Sequence, residues 1–171
     1  NIISPQAIIS ELADIEVSTK GSKIIIEAGS MIDSFVKIKF SGGTGDVLIG
    51  ENCYINSGTV IYSGNGVTLG KGVLIAANCT IAAANHEYRF SNKTILGGGF
   101  MPSKGGIVIE DDVWIGANSV VLDGSVIKKG AVVGAGSLVR SELKEYGIYA
   151  GAPLKLIGKR GQLGLIKIDE V

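Results

Sequence analysis

An aliphatic residue recurs at every sixth position from Ile109 to Val139, and this spacing restricts the fold more than any other feature of the 171-residue chain. We call these residues the anchors of a six-residue ladder. They are Ile109, Ile115, Val121, Ile127, Val133 and Val139. A helix repeats at 3.6 residues and a simple strand at two, so neither element produces a period of six. A six-residue repeat suits a short strand followed by a corner, the unit of an all-β solenoid with stacked parallel strands.

Small or β-branched residues follow the first five anchors of this run after four positions, as a tight corner requires. They are Val113, Ser119, Ser125, Ala131 and Ser137. The anchors continue towards the N-terminus in groups of three, and the phase shifts only between groups. These earlier anchors are Ile3, Ile9, Ile15, Ile26, Ile32, Ile38, Ile49, Ile55, Ile61, Leu69, Ile75 and Ile81. Eighteen anchors in threes predict about six triangular coils, each rising roughly 4.8 Å, the spacing of neighbouring strands.

All interruptions of the ladder fall at one edge of the predicted prism. The short ones are glycine-rich, as corners with positive φ require, and the last is an excursion loop of residues 85–106. Long loops on a rigid scaffold are typical places for functional residues. We predict a β-helix over residues 1–140 and, in the same domain, a turn, a short helix or extended arm and a tail over residues 141–171. A helix that begins at Pro5, capped by Ser4, is the alternative for the N-terminus.

Residues directly before the anchors point away from the core, because side chains alternate along a strand. On two of the three faces these positions are mostly apolar, and they include Leu48, Val108, Tyr54, Leu74 and Trp114. Apolar rows of this kind indicate a covered surface, and self-association is the simplest cover. A closed ring of three prisms would bury two faces of each.

The charge balance excludes a general affinity for nucleic acid or acidic membranes, because 16 basic residues face 16 acidic ones. No apolar run reaches the length of a membrane span, and no basic-then-apolar leader opens the chain. Cys53 and Cys79 fall at small-residue corner positions. We therefore expect two core thiols in a reducing cytoplasm rather than a disulfide framework.

His86 is the only histidine, and it lies at the root of the excursion loop. Histidine titrates near neutral pH, which makes it the natural general base for activating a hydroxyl or an amine. A structural histidine is the alternative. A solenoid carbonic anhydrase needs three zinc-binding histidines, so that function is excluded, and no metal is expected.

Three further features indicate ligand contacts, each with a structural alternative. Trp114 faces outward, either as an interface residue or as a surface for a ligand. The small residues that directly follow the second-face anchors, among them Gly116, either form a slot for a thin ligand or pack closely against another subunit. Residues 124–167 carry eight basic and two acidic side chains, which suits a solvated surface or a phosphorylated ligand.

Several motifs in the second half of the chain resemble those of the hexapeptide-repeat acyltransferases. They are Asn85-His86-Glu87-Tyr88, residues 102–109, residues 112–118, residues 134–137 and residues 150–155. They are most similar to the branch of galactoside, maltose, capsule-sugar and xenobiotic acetyltransferases. The resemblance implies a left-handed parallel β-helix, an exception to the usual right-handed crossover. It also implies a homotrimer with active sites between subunits, and acetyl-CoA as the donor.

The resemblance implies roles for individual residues as well. His86 matches the catalytic histidine of the family, and Trp114 matches the tryptophan beside the acyl-CoA channel. With Gly116 of the small-residue column, the remaining positions expected to contact CoA are Ala117, Ala135, Arg140, Ser141, Lys155, Lys159 and Arg160. Asn56, Asn85 and Glu87 are expected to contact the acceptor. For Glu87 the alternatives are a role in orienting the His86 ring and a merely solvated side chain.

The expected function is acetylation of a sugar hydroxyl in surface-polysaccharide biosynthesis, by direct transfer in a ternary complex with His86 as general base. One alternative is N-acetylation of an amino-sugar nucleotide, and another is a non-enzymatic assembly scaffold. The acidic residues that the sugar branch offers to its acceptor are absent near Ser63 and Gly64. This departure speaks against simple galactosides as acceptors.

Overall fold

The computed structural model describes residues 1–161, and in them the six-residue ladder forms a parallel β-helix. In chain order the strands are β1 (Ile2–Ile3), β2 (Ile8–Ile9), β3 (Asp14–Ile15), β4 (Ile24–Ile26), β5 (Met31–Ile32), β6 (Lys37–Lys39), β7 (Val47–Ile49), β8 (Tyr54–Ile55), β9 (Val60–Tyr62), β10 (Val67–Leu69), β11 (Leu74–Ile75), β12 (Thr80–Ala82), β13 (Ile107–Ile109), β14 (Trp114–Ile115), β15 (Val120–Leu122), β16 (Val126–Ile127), β17 (Val132–Val133), β18 (Leu138–Val139), β19 (Glu142–Leu143), β20 (Gly147–Ala150) and β21 (Lys155–Lys159). The excursion loop contains the one-turn helix α1 (Ile95–Gly98). Within residues 1–161, no helix has the length and apolar character needed to cross a membrane.

The strands stack into three sheets, one for each face of a triangular prism. The first face has the order β1-β4-β7-β10-β13-β16-β19, the second β2-β5-β8-β11-β14-β17-β20-β21, and the third β3-β6-β9-β12-β15-β18. Anchors lie beside anchors, as Ile75 does between Ile55 and Ile115. All anchors of the second to sixth coils are buried in one aliphatic core, which confirms the predicted inward column.

Turn chemistry at the edges explains the polar residues between the anchors. At the edge between the second and third faces, Gly58, Asn78, Asn118 and Gly136 all have positive φ angles, between 58° and 73°. Glycine has no Cβ to clash in this conformation, and asparagine tolerates it better than most residues. At this edge, each six-residue repeat therefore combines one inward aliphatic residue with one turn residue in the left-handed conformation.

Both cysteines lie in the core, as predicted. The Cys53 thiol donates to the Gly70 carbonyl oxygen at 3.0 Å, and the Cys79 thiol donates to that of Gly116 at 3.2 Å. Burial raises the pKa of each thiol, so both stay protonated at neutral pH. They link neighbouring coils and are not placed to act as nucleophiles.

The prediction that the ladder ends at Val139 is wrong, because Leu143 and Tyr149 begin a seventh coil. Leu143 pairs with Ile127, and Tyr149 pairs with Val133. Both side chains are buried. The corner between Val139 and Leu143 is two residues shorter than the corner between Val121 and Ile127 in the preceding coil. The six-residue spacing therefore does not reveal the seventh coil.

Neither of the two helices considered as alternatives at the termini is present in the described residues. At the C-terminus the extended alternative holds, because β21 pairs antiparallel with β20. At the N-terminus Ser4 and Pro5 form a turn between β1 and β2, so the capped helix is wrong. Residues 162–171 of the predicted tail, including Lys167, lie outside the described residues.

Candidate active site

His86 lies directly after the third face, where the excursion loop leaves the edge shared with the first face. Its backbone forms an antiparallel bridge with Phe100, and its ring stacks on the Phe100 ring with centroids 4.6 Å apart. Two hydrogen bonds close the loop at this point, from Glu87 N–H to the Gly99 carbonyl and from Met101 N–H to the Asn85 carbonyl. The imidazole is exposed to solvent while its position is held by the base of the loop.

The expectation of a solvated Glu87 side chain is wrong. Glu87 is only 7% exposed, and both of its carboxylate oxygens accept hydrogen bonds from the Arg89 guanidinium. The Arg89 backbone N–H donates to the same carboxylate at 2.9 Å. These hydrogen bonds lower the pKa of Glu87 from 4.5 to about 2. Acceptor contact by Glu87 stays a prediction, and its carboxylate is already engaged within the loop.

The Glu87–Arg89 pair predicts a pH-dependent loop. Because the pKa of Glu87 is depressed, the ionised carboxylate stabilises the closed loop above about pH 4.5, and this contribution is lost as the pH falls towards about 2. We expect Glu87→Gln to increase hydrogen exchange in residues 85–101 at neutral pH, and the difference from wild type to shrink between those pH values. Hydrogen exchange by mass spectrometry measures it, with Glu51→Gln, in the exposed pair with Lys71, as the control. A difference that is independent of pH would contradict the assignment.

The other end of the loop is held by Asp123, a residue that none of the sequence motifs indicates. Asp123 is 4% exposed and accepts hydrogen bonds from the backbone N–H groups of Lys104 and Gly106, both at 2.9 Å, and from the Asn65 side chain at 3.0 Å. Ser63 and Ala83 occupy the same inward position in earlier coils. An acidic residue at a position where earlier coils have a small residue could therefore have indicated the role of Asp123 from the sequence.

Trp114 is 48% exposed on the outward side of β14, beside Leu74 of the neighbouring strand. This strand belongs to the second face, whereas His86 follows β12 of the third face at the edge with the first. In a triangular prism that edge lies opposite the second face. A single chain therefore separates His86 from Trp114, and a site that contains both requires two copies of the chain.

Ala117, Ala135 and Asn56 share the edge between the second and third faces. Ala135 is exposed, Ala117 is half-buried, and the Ala117 carbonyl accepts a hydrogen bond from Gly136 N–H at 2.8 Å. The Asn56 amide Nδ2 donates to the Ile75 carbonyl at 2.7 Å. The structure thus aligns the implied pantetheine contacts with the implied acceptor contact on one edge.

Gly116 lies on the same edge, directly after Ile115 as Asn56 follows Ile55, and its contact with CoA stays a prediction. It is buried, its N–H donates to the Val133 carbonyl at 2.7 Å, and its carbonyl accepts from the Cys79 thiol. A Cβ at this position would come within 2.5 Å of the Ala135 backbone nitrogen. Glycine is required here by the stacking of successive coils, so a ligand is not needed to explain it.

Arg140 and Ser141 line a cavity of about 490 Å³ at the C-terminal end of the third face. The remaining lining residues are Leu138, Ala152, Pro153 and Leu154. The Gly151 N–H donates to the Ser137 hydroxyl at 3.0 Å, which holds the segment that leads into residues 152–154 against the prism. A cavity of this size with an exposed guanidinium beside it suits part of an anionic ligand.

Arg160 lies on a different edge from Arg140, and contact of either residue with CoA stays a prediction. Its Nη1 donates to the backbone carbonyls of Asp112 and Gly130 and to the Asp112 carboxylate, at 3.0–3.1 Å. Lys159 pairs with Gly147 at the same edge, whereas Lys155 lies at the other end of β21 beside Ala150. Arg160 therefore ties the terminal hairpin to the edge between the first and second faces, away from Arg140.

Comparison with known proteins agrees with this architecture. Residues 106–141 match the family described as bacterial transferase hexapeptide (six repeats), and residues 46–83 match the hexapeptide repeat of succinyl-transferase. WbbJ of Escherichia coli, provisionally named a lipopolysaccharide biosynthesis O-acetyl transferase, is 32% identical over 145 residues, which cover 81% of this chain and 70% of that protein. Galactoside O-acetyltransferase of Escherichia coli is 34% identical over 120 residues, 70% of this chain and 57% of that enzyme.

Solved structures give the same result. AntD of Bacillus cereus, an N-acyltransferase crystallised as a variant with dTDP-4-amino-4,6-dideoxyglucose and coenzyme A, superposes with a TM-score of 0.78 at 26% identity, covering 94% of this chain and 84% of that one. A hexapeptide-repeat acetyltransferase of Vibrio cholerae with acetyl coenzyme A has a TM-score of 0.64 at 29% identity, covering 76% and 67%. The chain, a left-handed parallel β-helix with an excursion loop at His86, therefore belongs to the hexapeptide-repeat family of acetyltransferases.

Proposed function

We propose that the protein transfers the acetyl group of acetyl-CoA to a sugar hydroxyl, in the biosynthesis of a surface polysaccharide. The observation that carries this proposal is the exposed imidazole of His86, held by Phe100 at the root of the loop of an acetyltransferase fold. The similarity to WbbJ supports the polysaccharide role. The core thiols, which are free, are compatible with a cytoplasmic location.

His86 acts as the general base in this proposal. It accepts the proton of the acceptor hydroxyl while that oxygen attacks the thioester carbonyl, and it then returns the proton to the departing thiolate. A positioned base of this kind typically contributes roughly 10²–10⁴-fold. A backbone N–H of a neighbouring coil stabilises the charge that develops on the carbonyl oxygen, an interaction typically worth about 2.7–4 kcal/mol. Transfer is direct, because both cysteines are buried in the core.

The residues around the cavity suit acetyl-CoA. Arg140 and Ser141 offer a cation and a hydroxyl for the phosphates, with Lys155 directly after the lining segment. Ala117 and Ala135 leave room for the narrow pantetheine arm along their edge. Trp114, on the second face, packs beside the acyl end, and His86 comes to it from a neighbouring chain of a homotrimer.

N-acetylation of an amino-sugar nucleotide is the second candidate. The observation that favours it is the similarity to AntD over 94% of this chain, because that N-acyltransferase was crystallised with an amino-sugar nucleotide. The same His86 would deprotonate the attacking amine. Release of free thiol from acetyl-CoA, measured with simple sugars and with amino-sugar nucleotides, distinguishes the two candidates. The proposal fails if acetyl-CoA does not bind, and membership of an acetyltransferase family already disfavours a non-enzymatic scaffold.

A site shared between two subunits predicts complementation. We expect His86→Ala and Ala135→Trp each to be inactive alone, because one lacks the base and the other fills the pantetheine edge. Trimers formed from both variants at equal amounts regain about a quarter of wild-type activity, because one site in four combines an intact His86 with an intact Ala135 of its neighbour. Co-expression with two different tags, followed by thiol-release assays, measures it. No recovery in verified mixed trimers would place both residues on one chain.

A further inference from the structure

Phe35 breaks the turn pattern at the edge between the second and third faces. Glycine or asparagine occupies this left-handed position in later coils, as at Gly58, Asn78 and Asn118, but in the second coil the residue is Phe35, with φ of 63°. A bulky side chain is unfavourable in this conformation, because its Cβ crowds the backbone. Strain of this kind persists where another requirement outweighs it, and such positions concentrate at functional sites.

Packing within the chain does not account for Phe35. Tyr146 is the other aromatic residue with a positive φ, and its ring lies against Gly130, where a Cβ would come within 2.4 Å. Phe35 is 61% exposed, compared with 36% for Tyr146, and among residues 1–161 it is not part of the buried core or of the side chains packed on it. The two aromatic residues share a backbone conformation but not a structural reason.

Polar side chains of the same edge lie close to Phe35 along the chain and in the next coil. The Asp33 carboxylate accepts hydrogen bonds from the Ser57 hydroxyl at 2.7 Å and from Ser34 N–H at 2.6 Å. These two hydrogen bonds lower the pKa of Asp33, so it is ionised at neutral pH. Asn56 lies in the next coil with its amide nitrogen bound to the Ile75 carbonyl, which leaves its side-chain oxygen turned away from that bond.

We propose that Phe35, Asp33 and Ser57 form the platform that binds the saccharide ring of the acceptor. A pyranose has an apolar face of C–H groups and a rim of hydroxyls, so it suits one exposed aromatic ring bordered by a carboxylate and a hydroxyl. Asp33 accepts hydrogen bonds from hydroxyl or ammonium groups of the sugar. The platform lies on the edge that carries Asn56 one coil further on and Ala117 and Ala135 three and four coils further on, so an acceptor seated on it extends along this edge towards the donor. This inference rests on the proposed function, because it names the acceptor subsite of that reaction.

The test replaces Phe35 by asparagine, the residue that the same turn has at Asn78 and Asn118. Phe35→Asn removes the ring and suits the backbone, so the unfolding midpoint is expected to stay the same or to rise. The acceptor KM is expected to rise roughly tenfold, the scale of one aromatic contact, with the acetyl-CoA KM unchanged. Tyr146→Asn is the matched control, for which the midpoint falls while the acceptor KM does not change.

The acceptors are methyl β-galactoside, maltose and dTDP-4-amino-4,6-dideoxyglucose, each assayed by thiol release and by direct binding. A tenfold rise in the KM of Phe35→Asn for any of these acceptors supports the platform. The platform is overturned if Phe35→Asn leaves the acceptor KM unchanged, or if its main effect is a change in sedimentation coefficient. It is also overturned if the wild type binds acetyl-CoA but none of the three saccharides. Failure of wild type to bind acetyl-CoA would instead overturn the proposed function.

Discussion

Replacing His86 by alanine is expected to lower kcat by roughly 10²–10⁴-fold, because the attacking hydroxyl then loses its general base. Acetyl-CoA binding should be unchanged, since the predicted donor contacts at Arg140 and Ala135 do not involve this side chain. Thiol release at saturating acetyl-CoA and isothermal titration of the donor measure the two quantities separately. A lower kcat with an unaltered donor dissociation constant assigns His86 to the chemical step.

The control for this variant changes another residue of the same loop. Lys93 is an exposed side chain near the tip, close to the Phe90 ring, and Lys93→Ala is expected to keep wild-type activity. Both variants alter one exposed polar side chain of the excursion loop, so a general disturbance of the loop would affect them alike. If His86→Ala retained more than about a tenth of wild-type kcat, general-base catalysis by this residue would be wrong.

Replacing Ile75 by alanine is expected to reduce the free energy of unfolding by about 2–5 kcal/mol, the range for large-to-small changes in cores. Ile75 is fully buried in the fourth coil and lies between Ile55 and Ile115 in the second-face sheet. Each coil contributes only a few buried side chains to the core, so neighbouring coils cannot close the cavity without distorting the sheets. Urea unfolding at a fixed protomer concentration measures the change, because subunit association contributes to the apparent stability.

The matched control for Ile75 occupies the same kind of ladder position in the first coil. Ile3 is 42% exposed, so Ile3→Ala removes much less buried surface and is expected to cost under about 1 kcal/mol. Equal losses for the two variants would show that burial in the column does not set the contribution of an anchor.

Most of the fold could be predicted because a β-helix is almost local in sequence. Each coil contacts only its neighbours, so every hexad repeats one requirement: an inward aliphatic residue, a small residue and a turn. The same locality explains the error at Leu143. Once a corner is two residues shorter, spacing alone no longer shows that Leu143 lies against Ile127, and only the pairing of β19 with β16 does so.

The candidate site was predictable only in part. His86 stood out because it is the single histidine and adjoins the long interruption of the ladder. Its support did not stand out, because Phe100 reaches the base of the loop only after the chain turns back at α1. The resemblance implied CoA contacts for both Arg140 and Arg160, and only the structure shows that the antiparallel return of β21 carries Arg160 to a different edge.

The sequence by itself determined the coil, the inward columns of anchors, the excursion loop and the position of its single histidine, because these depend on residue type and spacing along the chain. The tertiary structure decided which edge each side chain occupies. It placed Ala117, Ala135 and Asn56 on one line, buried Glu87 against Arg89, and set Trp114 on the face opposite His86. Those relations depend on how far each corner turns the chain, and that rotation is a property of the closed prism rather than of any one hexad.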